Sequence, residues 1–138
     1  MNGVMILSFL IPLLASLLLE GCVTVPKGPL QPDEVRLTKA KIIETTTGAT
    51  RKYYKAIIDY QHGEKIKPDD IKFSCTTWYW NNRSEGPTCG RIVTIDGNKI
   101  EVNSSVGVLR TYTIEMYVIY MSGGKEKKSN LIRVDHSF

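Results

Sequence analysis

At 138 residues, 42% of them hydrophobic, and with a formal net charge of +4, the chain has the material for one modest core and too little for two domains. Its 18 Lys and Arg are dispersed apart from Lys125-Glu126-Lys127-Lys128, and only a concentrated basic stripe would argue for nucleic acid, so no nucleic-acid partner is expected. No glycine-rich phosphate loop, nucleophile elbow or paired-carboxylate motif is present and His62 and His136 are isolated, so the expectation is a protein that is not an enzyme, without catalytic residues, metal or cofactor.

The first segment is an uncharged run over 4–19, followed by Glu20-Gly21-Cys22. An apolar core of this length with a small residue before the cut fits a secretory signal. It is short for a spanning helix, which needs about 20 apolar residues, and Pro12 interrupts it. Leu19, three before Cys22, and Gly21, just before it, make the end of this run resemble the lipobox of bacterial lipoproteins. The resemblance implies removal of 1–21, a diacylglycerol thioether on Cys22 and a further acyl chain such as palmitate on the new amino group. Two chains anchor stably where one is marginal. Val23 is not the aspartate that holds such proteins at the inner membrane, so the implied site is the cell envelope, with the outer membrane favoured and the domain facing the periplasm or the surface. The alternative is an uncleaved signal anchor with Cys22 buried. Cleavage would also remove Glu20 and raise the net charge by one.

Residues 22–34 contain Pro26, Gly28, Pro29 and Pro32, which support neither helix nor central strand. This stretch is expected to act as a spacer, at roughly 3.1 Å per residue if extended, that displays the single domain of 35–138 away from the lipid.

From Val35 onward the pattern has period two. Tyr54, Ala56, Ile58 and Tyr60 share one face of a strand, Ile71, Phe73 and Cys75 one face of the next. Tyr112, Ile114, Met116, Val118 and Tyr120 mark a third. Turn residues punctuate these runs, and seven strands are expected at about 35–46, 51–60, 71–80, 90–95, 99–103, 109–121 and 126–135. That number and spacing imply an all-β fold: an antiparallel two-sheet sandwich that resembles immunoglobulin-like or fibronectin type III-like domains in architecture. A small open β-barrel is the alternative. Tyr112 stands where such sandwiches carry a corner tyrosine.

Two turns set register. A two-residue primed loop at Gly97-Asn98 pairs Ile95 with Ile100 and Val93 with Val102. At Gly123-Gly124 a two-residue loop would set Ile132 and Val134 against the wrong face, so a three-residue loop, Ser122-Gly123-Gly124, is expected, pairing Ile114 with Ile132 and Tyr112 with Val134.

With Cys22 assigned to lipid, Cys75 and Cys89 remain as an even pair in a chain routed to an oxidising space, and a disulfide between them is expected; two reduced buried thiols are the alternative. The bridge would restrain the polar loop 81–88. Just before that loop stands Trp78-Tyr79-Trp80. On a regular strand Trp78 and Trp80 share the face of Lys72, Ser74 and Thr76, opposite Cys75; a bulge would reverse the alternation and bury one Trp. Aromatic area beside hydrogen-bonding groups suits recognition, so Trp78, Tyr79, Trp80, Asn82 and Arg83 are the candidate binding residues. The expected function is a lipid-anchored envelope module that binds another envelope protein, with glycan binding on an aromatic platform or a structural, protective surface role as alternatives. Nothing in the sequence sets the oligomeric state.

Overall fold

The computed structural model describes residues 22–79, 82–86, 90–107 and 110–138. Among these, ten strands follow in chain order: β1 Cys22–Val23, β2 Val35–Thr47, β3 Lys52–His62, β4 Lys72–Tyr79, β5 Asn82–Gly86, β6 Arg91–Ile95, β7 Lys99–Val106, β8 Thr111–Ser122, β9 Lys125–Lys128 and β10 Ile132–Ser137. One short 3-10 turn at Pro68–Asp70 leads into β4.

The strands form two antiparallel sheets. A six-stranded sheet runs β1-β10-β8-β4-β5, with β9 also paired to β8, and a four-stranded sheet runs β2-β3-β7-β6. Neither closes on itself, so the arrangement is a sandwich and not a barrel. Setting β1 and β5 aside and counting β9 and β10 as one strand, the order places the first, second, fifth and fourth strands in one sheet and the third, sixth and seventh in the other. That is the immunoglobulin-type order, with β5 added at the free edge of β4.

Alternation builds the core. Tyr54, Ala56, Ile58 and Tyr60 of β3 face Tyr112, Ile114, Met116, Val118 and Tyr120 of β8 across the sandwich, all buried, with Ile100 and Val102 of β7, Leu37 of β2 and Ile132 and Val134 of β10 filling the layer between. Apolar side chains provide most of the driving force here, at about 25 cal/mol per Å² removed from water.

Three expectations are corrected. The loop at Gly97-Asn98 has two residues, but Gly97 does not adopt the positive φ of a primed turn. The Asp96 carboxylate instead accepts from the Asn98 and Lys99 N–H groups at 3.1 and 2.9 Å. Ile92 pairs with Val102 and Thr94 with Glu101, leaving Val93 as the extra residue of a bulge, 50% exposed. At the second hairpin the loop has only two residues: Ser122 pairs with Lys125, and Gly123 and Gly124 take φ of 58° and 76°, the doubly positive geometry that suits two-residue loops. That register, continued, would set Ile132 against Glu115. Residues 129–131 interrupt the strand and absorb one residue, so that Ile132 meets Met116 and Val134 meets Ile114. The strand expected over 126–135 is therefore two, β9 and β10.

Asn130 stabilises this interruption. Its Oδ1 accepts from Leu37 N–H at 2.7 Å and its Nδ2 donates to Leu37 C=O at 2.8 Å. One side-chain amide thus occupies both backbone groups of Leu37 on β2 and joins the edge of the four-stranded sheet to the other sheet.

The third correction concerns the spacer. The Arg36 guanidinium donates to the carbonyls of Gly28 at 2.7 Å, Pro29 at 2.9 Å and Pro26 at 3.3 Å, and to both oxygens of Glu34. Gly63 N–H donates to Glu34 C=O and Lys65 N–H to Pro32 C=O. A Cβ on Gly63 would lie 2.2 Å from the carbonyl oxygens of Gln31 and Pro32, so only glycine admits this approach. Lys127 closes the far end through Asp33 at 2.5 Å. Residues 24–34 are a strap laid on the domain, because proline leaves its carbonyls without a ladder partner and Arg36 has donors enough to take three of them.

Candidate functional site

The aromatic segment continues β4. Ile71, Cys75 and Thr77 are buried and Phe73 is partly buried, while Lys72 is exposed and Ser74 and Thr76 are half-buried, so the expected inner and outer faces hold up to Thr77. Beyond it, Trp78 is registered against Thr113 and Tyr79 against Tyr112 of β8. Tyr79 also pairs with Asn82 and Thr77 with Gly86, with an irregularity between the two pairs. The segment expected as a loop over 81–88 therefore contains a strand, β5, carrying Asn82 and Arg83. Trp80 and Cys89 lie outside the described residues, as do the side chains of Cys22, Trp78, Tyr79, Asn82 and Arg83. Cys75 is 1% exposed in the core. Thr77 Oγ1 is buried without a hydrogen-bond partner.

Among the described residues β5 pairs only with β4 and ends its sheet. Asn82 and Arg83 thus sit on a sheet edge, one register step from Tyr79, and the aromatic triplet leads directly into that edge.

Cys22 and the other residues singled out in the sequence, none of the latter expected to form a site, separate widely. β1 brings Cys22 opposite Arg133 and Val23 opposite Ile132, at the other end of the same sheet from β5. Tyr112 is buried at the start of β8. His62 ends β3, where its Nδ1 lies 2.9 Å from Gly63 C=O and its ring stacks on Tyr60 at 5.8 Å. His136, on β10, is 3.3 Å from the Glu44 carboxylate and 4.5 Å from the Phe138 ring. Phe138 in turn packs on Tyr54 at 5.2 Å and Tyr112 at 5.8 Å. Among the described residues no three His, Cys, Asp or Glu side chains are grouped to hold a metal ion, and no helix is long and apolar enough to cross a membrane.

One feature escaped the sequence reading. Lys39 and Lys41 on β2, Ile57 and Asp59 on β3 and Lys99 on β7 line a groove of about 190 Å³ on the outer face of the four-stranded sheet. Lys99 Nζ reaches Asp59 at 2.7 Å, and beside the groove Lys55 reaches Glu101 at 2.7 Å. The signal was present as Lys39-Ala40-Lys41, two cations on one strand face around a buried alanine, and counting charges along the whole chain dilutes such a pair. A second opening, about 360 Å³, lies at the β2–β3 connection, lined by residues 47–52 and Gly107.

Charge in the strap is well defined. The Arg36 hydrogen bond holds the Glu34 carboxyl below its ordinary value of 4.5, and that carboxylate in turn raises the Arg36 guanidinium. The hydrogen bond from Lys127 likewise lowers Asp33 below 3.8. Burial raises the Tyr60 hydroxyl, which donates to Asp96 C=O at 2.7 Å.

No protein-family model, curated protein or solved structure matches this chain.

Proposed function

We propose that this protein is a lipid-anchored module of a bacterial cell envelope that binds another envelope protein through the edge formed by β4 and β5. The observation that carries the reading is the position of β5: it turns the segment after Trp78-Tyr79-Trp80 into a free sheet edge, whose unpaired backbone groups are a template for a strand from a partner. Aromatic residues leading into such an edge supply apolar contact area beside the backbone ladder. The anchor half of the reading rests on the lipobox resemblance at Cys22. A disulfide between Cys75 and Cys89 belongs to the same proposal, since tying the chain after β5 to the core strand β4 lowers the ordering entropy lost on binding.

The test is in vivo crosslinking from positions in β5, followed by mass analysis of the protein and its adducts. The expected result is an acylated Cys22, Cys75 joined to Cys89 under non-reducing conditions, and one discrete envelope-protein adduct that Trp80→Ala weakens by about 2 kcal/mol or more in the corresponding binding assay. An unmodified Cys22 refutes the anchor, and adducts indifferent to Trp80→Ala refute the recognition edge.

A further inference from the structure

The lysine groove lies on the flank of the sandwich to which the anchor is tied. β1 is hydrogen-bonded to β10, and β10 and β1 both lie against β2, the edge strand of the other sheet. Asn130 fixes the same juxtaposition at atomic level, since one amide reaches both Leu37 of β2 and, at 3.3 Å, the carbonyl of Thr24 just after β1. Arg36 then draws residues 26–29 along the start of β2. The backbone at Cys22 is therefore held on the edge strand β1, next to β2, whose outer face presents Lys39 and Lys41, both exposed, and is registered opposite Arg133, also exposed.

We infer that the groove between Lys39, Lys41 and Lys99 takes the phosphate of an anionic phospholipid headgroup in the membrane that holds Cys22, so that the four-stranded sheet leans on the bilayer through its β2 edge. The inference rests on the anchor proposed above for its orientation. Three observations favour a headgroup. The groove admits a small anion, and Lys39, Lys41 and Lys99 bring three ammonium groups to it beside the Asp59 carboxylate. Ile57 in its floor offers apolar contact for the glycerol portion. The strap leaves no length of free chain between Cys22 and the domain, so acyl chains on that cysteine bring β2 within the short range, about a Debye length of 8 Å at physiological salt, over which lysines feel an anionic surface.

The experiment compares partition of the full chain onto phosphatidylcholine vesicles with and without phosphatidylglycerol, by flotation at low salt, with the acylation state of Cys22 read by mass on the same sample. The readout is the ratio of the two partitions, which cancels whatever the acyl chains or the apolar segment 4–19 contribute to both. Each lysine near an anionic surface contributes about fivefold. Lys39→Gln with Lys41→Gln should therefore lower the ratio by roughly 25-fold, whereas Lys72→Gln with Arg91→Gln, equal in charge and placed on β4 and the far edge strand β6, should leave it unchanged. Both pairs are exposed and folding is checked by circular dichroism. An unchanged ratio in the first pair, or equal loss in both pairs, overturns the inference. So does inorganic phosphate that competes at the groove as well as the vesicles do, which would make the site one for a free anion. An unmodified Cys22 with a ratio that still responds refutes the anchor and its orientation while leaving the groove as a headgroup site; an acylated Cys22 with an unresponsive ratio does the reverse.

Discussion

Removing the Asn130 amide should cost this domain more than an exposed-loop residue usually does. Asn130 stands in a connection of three residues between β9 and β10, yet its two short bonds go to the N–H and C=O of Leu37, a residue with 0% exposure. Asn130→Ala leaves both backbone groups without partners. Each unsatisfied buried group costs about 1–3 kcal/mol, and because Asn130 itself is half-buried, water recovers part of that on its side. The expected loss is about 2–4 kcal/mol, which for a domain near 100 residues lowers Tm by roughly 10–20 °C. Asn130→Asp separates the two bonds: the acceptor for Leu37 N–H remains, while a carboxylate oxygen now opposes Leu37 C=O. Its penalty should shrink as the pH falls and the carboxyl regains a proton to donate, opposite to the trend of the parent protein. Urea denaturation at several pH values measures both variants. A loss under about 0.5 kcal/mol for Asn130→Ala, within the ordinary range of surface substitutions, would refute the view that this amide joins the sheets.

Gly63→Ala should displace residues 31–32, because the added methyl meets two backbone oxygens at 2.2 Å; limited proteolysis should then cut within 24–34, and an unchanged digestion pattern would contradict the docked strap. Asp33 and Glu34 both titrate below their ordinary values, so their contribution to holding the strap is fully present above about pH 4.5 and is lost as the pH falls through the depressed values; amide exchange in residues 26–34 should accelerate in that acid window while β3 and β8 remain protected. Thr77→Val removes a buried hydroxyl that has no partner and should leave stability unchanged or raise it by about 1 kcal/mol, with a clear destabilisation in chemical denaturation counting against the assignment.

The long strands were legible because their side chains follow the pleat without interruption. Tyr54 to Tyr60 and Tyr112 to Tyr120 alternate through every residue, and burial of one face leaves a single workable register. What the sequence concealed was the place of each inserted residue. The conflict between a two-residue loop at Gly123-Gly124 and the inward positions of Ile132 and Val134 is visible in the pattern, but the extra residue resolves it equally well in the loop or anywhere before Ile132. The chain inserts it at 129–131, where Ser129 and Asn130 can bond the interrupted backbone. Val93 has the same history: an apolar residue in a strand reads as inward until a bulge turns it out. The strap was hidden for another reason. Three prolines and a glycine announce that a segment will be neither helix nor strand, but they do not reveal that an arginine eight positions beyond Gly28 will collect its carbonyls. Of the candidate site, the position of β4 and its faces up to Thr77 are readable, whereas β5 reads as loop because Asn82-Arg83-Ser84-Glu85-Gly86 has none of the β-branched or aromatic residues that mark strands; its pairing comes from adjacency to β4.

The strand order also fixes how the domain would bear tension. β1 and β5 are the two ends of one sheet, so a pull between them crosses β10, β8 and β4 sideways, and the ladders would open one bond at a time, as a zipper does. Two residues of β1 would peel first under such a pull. The Arg36 fork, gripping the chain a few residues behind them and rooted in the opposite sheet, diverts that tension into β2 and from there, through its long pairing with β3, into the half of the sandwich that holds no end of the line.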